Sequence, residues 1–197
     1  NIAQSLSLSS SDRCLNVMPL FHIHGLIAAV SASLSVGASI WCSSGFNALS
    51  FFSNVDEAKP TWYTAVPTMH QAILSRSRRN SEIIKNNPLR FLRSSSASLP
   101  AQVMLELEES FNAPVIEAYG MTEASHQMTT NLLPPHKRKI GSVGVPVGLE
   151  VKVVDKKFRT LKHNNVGEIV IKGKSVLTGY LAKTSINKKA FVKGWFK

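Results

Sequence analysis

Residues Thr61–Ser77 read TWYTAVPTMHQAILSRS. The first six are rich in strand-favouring aromatic and β-branched types. Pro67 follows where a helix tolerates proline, at its first position, and the remainder reads as that helix. A strand passing straight into a helix is half of a parallel-sheet unit, and the same grammar extends both ways. Upstream, Cys14–Leu20 (CLNVMPL) is a buried strand and Gly25–Ser35 (GLIAAVSASLS) a helix that Gly37 can close as a left-handed cap. Ala38–Ser43 (ASIWCS) is a strand, and Asn47–Ala58 (NALSFFSNVDEA) a helix with Asn47 placed to cap it. Downstream, Leu89–Ser95 (LRFLRSS) is a strand. Pro100–Phe111 (PAQVMLELEESF) is a helix with Val103, Met104, Leu107 and Phe111 on one face, and Pro114–Tyr119 (PVIEAY) is the next strand. Short connections between such elements predict an α/β domain over residues 1–134: a layered parallel sheet with flanking helices and right-handed crossovers.

The pattern changes after Pro134. Gly141–Gly148 (GSVGVPVG) is dense in glycine and proline, and Leu149–Asp155 (LEVKVVD) and Gly167–Gly173 (GEIVIKG) alternate at period two. That is antiparallel-sheet grammar, with Lys156–Asn165 (KKFRTLKHNN) as a polar hairpin connection. A second, smaller β-rich subdomain, incomplete at its end, is expected over residues 135–197.

Ligands of open α/β sheets sit beyond the carboxyl ends of the strands, which directs attention to three stretches. In Glu117–His126 (EAYGMTEASH), Gly120 allows close approach to the backbone, Tyr119 can stack on a flat base, and Thr122 offers a hydroxyl to a phosphate oxygen. Glu123 beside a phosphate would be repulsive without an intervening cation, which points to Mg²⁺. An ordinary strand-to-helix turn with Glu123 in the first helical turn explains the same residues. Arg93–Pro100 (RSSSASLP) suits an adenine edge or a ribose, and equally a helix start capped by Ser98 ahead of Pro100. Met18–Leu26 (MPLFHIHGL) places His22 and His24 two apart on an apolar stretch, which suits hydrogen-bonded core residues, makes a weak metal case without a third ligand, and is apt for the mouth of an acyl pocket. His136–Lys139 (HKRK) reads as a solvated loop.

Taken in order, MPLFHIHGL, TWYTAVPTMHQAIL, LRFLRSSSASLP, EAYGMTEA, GSVGVPVGLEVKVVD, GEIVIKGKSVLTGY and GWFK resemble the adenylate-forming acyl-CoA synthetases over essentially the whole chain. That superfamily includes 4-coumarate–CoA ligase and luciferase. It joins a carboxylic acid to ATP as an acyl-adenylate, releases pyrophosphate, and passes the acyl group to coenzyme A. The resemblance implies that Ser96, Ala97 and Ser98 line adenine, with Glu117, Ala118, Tyr119, Gly120 and Met121 as the second wall. It implies Thr122 at the α-phosphate, Glu123 at Mg²⁺, and His22 guarding the acyl site. Ser95 and Ser98 stand where the family's adenine stretch usually has Gly and Pro. The nearest likeness is to the oxalate–CoA ligase branch, carried by RSSSASL, WYTAVPTMHQ and EAYGMTEASH. A small dicarboxylate needs donors, which Ser95, Ser96, His22 and His126 supply. A medium-chain or aromatic acid is the other substrate class the resemblance admits. Against the family pattern, the upstream phosphate loop, the ribose-binding Asp and the C-terminal lysine domain find no match here. The chain therefore reads as an internal piece of a longer enzyme, inactive by itself.

The net charge of +11 is uneven, since residues 135–197 hold 15 lysines and arginines against three acids. A nucleic-acid-binding module is the rival reading, but the basic residues alternate with Val and Ile as in strands and form no recognisable motif, so no nucleic-acid partner is expected. Cys14 and Cys42 are too few for a disulfide framework and read as buried thiols in a reducing compartment, the cytoplasm or a eukaryotic peroxisome. Gly25–Trp41 reads as a buried helix and strand, and no membrane span is expected.

Overall fold

The computed structural model describes residues 1–181 and 184–197. Helix α1 (Ile2–Ser5) leads into strand β1 (Arg13–Asn16). A π-helical segment, His24–Ser31, runs into α2 (Ala32–Leu34) and β2 (Ser39–Cys42). There follow α3 (Phe51–Ala58), β3 (Trp62–Ala65), α4 (Pro67–Ser77), α5 (Ser81–Asn86), β4 (Phe91–Ser94), α6 (Ala101–Phe111) and β5 (Val115–Met121). The strands lie in the order β2-β1-β3-β4-β5, all parallel, as the alternation predicts.

Successive strand residues enter opposite layers. Leu15, Tyr63, Leu92 and Val115 join Phe51, Ile73 and Leu107 from α3, α4 and α6. Their neighbours Cys14, Trp62, Phe91 and Ile116 join Ala28, Ala29 and Ala32 on the other face. A sheet covered on both faces needs strands apolar on both sides, which is why these strands read as continuous apolar runs. Burial of each large side chain contributes roughly 1.5–3 kcal/mol.

Pro67 does occupy the first turn of α4. Gly37 takes a left-handed φ of +73°, and its N–H closes on the Leu34 carbonyl. The expected cap at Asn47 is displaced: α3 starts at Phe51, and the Asn47 side chain accepts from the Leu49 N–H in the preceding turn. Ser98 makes no cap either, because Pro100 holds that position in α6. Cys14 is buried but Cys42 is exposed, on the edge strand β2.

At Glu117–His126 the chain stays in the sheet. β5 runs to Met121, and one 3₁₀ turn, Thr122–Ala124, follows. Ser125 and His126 then adopt left-handed backbone, at φ +53° and +82°. The chain returns as β6 (His126–Thr130), antiparallel to β5, and β7 (Val145–Pro146) pairs antiparallel with β6. Gly120 is indispensable here, since a Cβ would lie 1.4 Å from the His126 carbonyl oxygen. The close approach that its missing side chain permits is that of the protein's own backbone.

The second sheet comprises β8 (Glu150–Val154), β9 (Glu168–Lys172), β10 (Phe191–Val192) and β11 (Trp195–Phe196), with α7 (Thr184–Ala190) before β10. Its order is β10-β11-β9-β8, antiparallel throughout as the period-two alternation predicts. Ile171 and Phe196 from this sheet pack with Ala124 and Met128, against a half-buried Tyr119. Among the described residues, no helix is long and apolar enough to cross a membrane.

Candidate active site

The carboxyl ends of β3, β4 and β5 carry a polar cluster on one face of the sheet. Trp62 and Phe91 face the π-helical segment, so Thr64 and Arg93, each two residues on, face it too, and they are register partners. Arg93 is fully buried. Its Nη1 lies 3.3 Å from Thr64 Oγ1 and 3.3 Å from His24 Nε2, and its Nη2 donates to Gln127 Oε1 at 3.2 Å. Among the described residues no carboxylate pairs with it; burial alone pulls its pKa down to about 10, leaving a cation at neutral pH. An uncompensated buried charge is expensive, and one kept at the carboxyl ends of parallel strands is a functional candidate.

His24 is the hub of this cluster. Its Nε2 stands 2.6 Å from Thr64 Oγ1 and its Nδ1 3.1 Å from Ser96 Oγ. The His126 ring lies 5.1 Å away, tilted by 57°. Burial first and the Arg93 charge second hold His24 far below its ordinary pKa, and the same causes pull His126 down to about 3. Both imidazoles are neutral. His126 Nδ1 is buried without a hydrogen-bond partner, which leaves a polar atom for a ligand to satisfy.

His22, expected at the acyl site, is exposed, and its Nδ1 accepts the His24 N–H at 3.1 Å. The imidazole that meets Ser96 is therefore His24. Ser95 is buried and donates to the Ala118 carbonyl at 2.9 Å, tying β4 to β5. Ser96, Ala97 and Ser98 form an exposed loop, with Ser96 in left-handed backbone at φ +74°. Glu117 and Ala118 are buried in β5, while Tyr119, Gly120 and Met121 are half-buried at its end. The Leu99 N–H approaches Glu117 Oε1, Oε2 has no partner, and burial raises the carboxyl's pKa. Thr122 is exposed at the turn.

The turn is clamped by the second unit. Tyr180 donates to Glu123 Oε1 at 2.9 Å, Leu177 N–H to the Glu123 carbonyl at 2.8 Å, and Ser125 Oγ to the Ser175 carbonyl at 3.0 Å. Arg138, expected to be solvated, instead pairs with Glu108 and donates to the Val115 carbonyl, well away from this cluster.

A family model described as "AMP-binding enzyme" matches residues 1–181. The chain belongs to the AMP-binding enzyme family. Over 201 residues it is 45% identical to the oxalate–CoA ligase of Arabidopsis thaliana, with all of this chain and 38% of that enzyme covered. The oxalate–CoA ligase of Saccharomyces cerevisiae is 41% identical over 98% of this chain and 35% of its own length. The crystal structure of ATP-bound MatB from Rhodopseudomonas palustris superposes with a TM-score of 0.89 at 27% identity, covering 99% of this chain and 38% of that one. The chain thus spans less than two-fifths of the length of these family members.

Of the residues that the sequence singles out, Ser96, His24 and His126 come together in this cluster, whereas His22 lies outside it. Sequence reading passed over Thr64, Arg93 and Gln127. The available signal was Arg93 two residues after Phe91, on the face of the strand that Phe91 buries.

Proposed function

We propose that the full-length protein is an ATP-dependent acyl-CoA synthetase whose acid substrate is a small dicarboxylate, with oxalate the best candidate. The observation that carries the substrate reading is Arg93, a fully buried guanidinium with no carboxylate partner among the described residues, set behind His24 and Ser96. A second carboxylate drawn toward that cluster would relieve an unpaired charge and meet donors, whereas an alkyl chain would strand them. The relatives named as oxalate–CoA ligases support this choice.

For the nucleotide, the exposed loop Ser96–Ser98 lies beside Glu117–Met121 because β4 and β5 are register neighbours. That arrangement fits a flat base held between Ser96, Ala97 and Ser98 on one side and Glu117, Ala118, Tyr119, Gly120 and Met121 on the other. Thr122 presents its hydroxyl to solvent at the turn, as an α-phosphate contact requires. Glu123 is half-buried, with one oxygen held by Tyr180. A single oriented carboxylate fits Mg²⁺, which keeps several waters and takes its remaining ligands from phosphate. When bound, the ion would neutralise charge developing on the transferring phosphate. Coenzyme A is the acyl acceptor this reading entails.

The test is pyrophosphate release by the full-length protein across a panel of acids, including oxalate, malonate, hexanoate and a cinnamate. Oxalate should give the highest kcat/KM. Preference for hexanoate or the cinnamate would overturn the dicarboxylate reading, and no pyrophosphate release with any acid on the panel would overturn the synthetase reading.

A further inference from the structure

Hydrogen-bond directions in the buried cluster follow from the chemistry of its members. A guanidinium only donates, so the His24 Nε2 that lies 3.3 Å from Arg93 Nη1 carries no proton. Thr64 Oγ1, also 3.3 Å from Nη1, accepts there and sends its own proton to His24 Nε2 at 2.6 Å. The His24 proton is therefore on Nδ1, directed at Ser96 Oγ 3.1 Å away. Ser96, accepting from His24, is left with its hydroxyl proton free for the exposed side of the loop.

We propose that Arg93 and Thr64 are positioning residues that fix His24 as the Nδ1–H tautomer, so that a one-way chain of hydrogen bonds from the buried guanidinium ends in the Ser96 hydroxyl as the donor left for the substrate carboxylate. The inference rests on the reading of this cluster as the acid-binding site. Each link polarises the next, and the cation at the inner end sets the direction for all of them. With the opposite tautomer, Nε2–H would point at a cation and Nδ1 would present a lone pair toward the Ser96 side, repelling an anion. His70 holds the backbone of this device from the other face of the sheet. Its Nε2–H donates to the Arg93 carbonyl at 3.2 Å, and its Nδ1 lies 3.0 Å from the Tyr63 hydroxyl that donates to it.

The decisive measurement is the ¹⁵N spectrum of histidine-labelled full-length protein, with the His24 signals identified by their loss in His24→Asn. A protonated Nδ1 and bare Nε2 are expected; a protonated Nε2 would overturn the proposal. Kinetics supply a second, independent reading. Thr64→Val keeps the shape and removes the hydroxyl, so KM for the acid should rise about tenfold with KM for ATP unchanged, and Thr64→Ser should restore it. An unchanged KM for the acid in Thr64→Val, or equal losses in Val and Ser, would also overturn it. Should no acid on the panel release pyrophosphate, the functional reading fails by itself, and the tautomer spectrum still decides this proposal.

Discussion

His24 and His126 face each other with ring centroids 5.1 Å apart, and His126 Nδ1 has no partner of its own. Ser96 Oγ meets this pair at His24 Nδ1. Replacing His126 by Val should lower kcat/KM for oxalate by roughly 10²-fold, about 2.7 kcal/mol, because one donor to a desolvated carboxylate is lost. ATP binding should be unaffected, and use of a short apolar acid such as butyrate should improve. Steady-state kinetics with both acids check this, and an unchanged oxalate constant would remove His126 from the acid site.

Glu123 is held by the Tyr180 hydroxyl from the second unit. Glu123→Gln in the full-length protein keeps the shape but weakens any grip on Mg²⁺. Adenylation should slow on the order of 10²-fold, about 3 kcal/mol of barrier, with little effect on the later thioester step. Tyr180→Phe should cost far less, since it frees the carboxylate without removing it. Single-turnover measurement of each half-reaction separates the two. Normal adenylation by Glu123→Gln at saturating Mg²⁺ would leave Glu123 as a tether for Tyr180 only.

Buried neutral histidines predict an acid-side loss of stability. Burial pulls His70 down to about 4 and His126 to about 3, while in the unfolded chain each titrates near 6.5. Between those values the unfolded chain binds more protons, so the stabilisation is complete above about pH 6.5 and is lost as pH falls toward the folded values. Asp12 adds to this at lower pH. Burial raises its pKa, but Arg90, the Ser9 N–H and Thr61 outweigh that and hold it below the ordinary carboxylate value. Its share is present above about pH 4 and disappears below. Urea midpoints should therefore fall steadily from pH 7 to pH 4, and a flat profile would contradict the burial of these groups.

At the amino ends of the strands, remote from the cluster, Arg90 reaches both carboxylate oxygens of Asp12 at 2.5 Å. It also donates to the Leu6 and Ser7 carbonyls, so the pair ties the N-terminal segment to the sheet. Arg90→Met should destabilise the protein by about 2 kcal/mol, less than a fully buried pair because Arg90 stays 39% exposed. Denaturant unfolding reads the loss, and KM for ATP and acid should not move. A change in either KM would show that this end of the sheet communicates with the site.

Much of the architecture was legible because it is written in local period. Trp62 and Tyr63 are apolar neighbours on one strand, and both must be covered, so helices on two faces follow from that dipeptide repeated along five strands. The turn at Glu117–His126 was misleading for the converse reason. A glycine, a threonine and an acid after a strand suit a helix start and a hairpin alike, and only the His126 carbonyl packed on Gly120 decides between them. Asn47 and Ser98 failed as caps because the helices begin one or more residues later than their cap-forming side chains suggest.

The sequence by itself determined the α/β order, the antiparallel second sheet and the family. All of these are set by residues within one turn or strand of each other, or by motifs whose order along the chain is itself the signal. Tertiary structure decided which side chains meet. His24 and Ser96 stand 72 residues apart, His24 and Arg93 69, and Thr64 and Arg93 29. Strand register and the packing of the π-helical segment bring them together. Register between distant strands comes from the whole buried core at once, so it made His24 rather than His22 the partner of Ser96, and no local pattern records that choice.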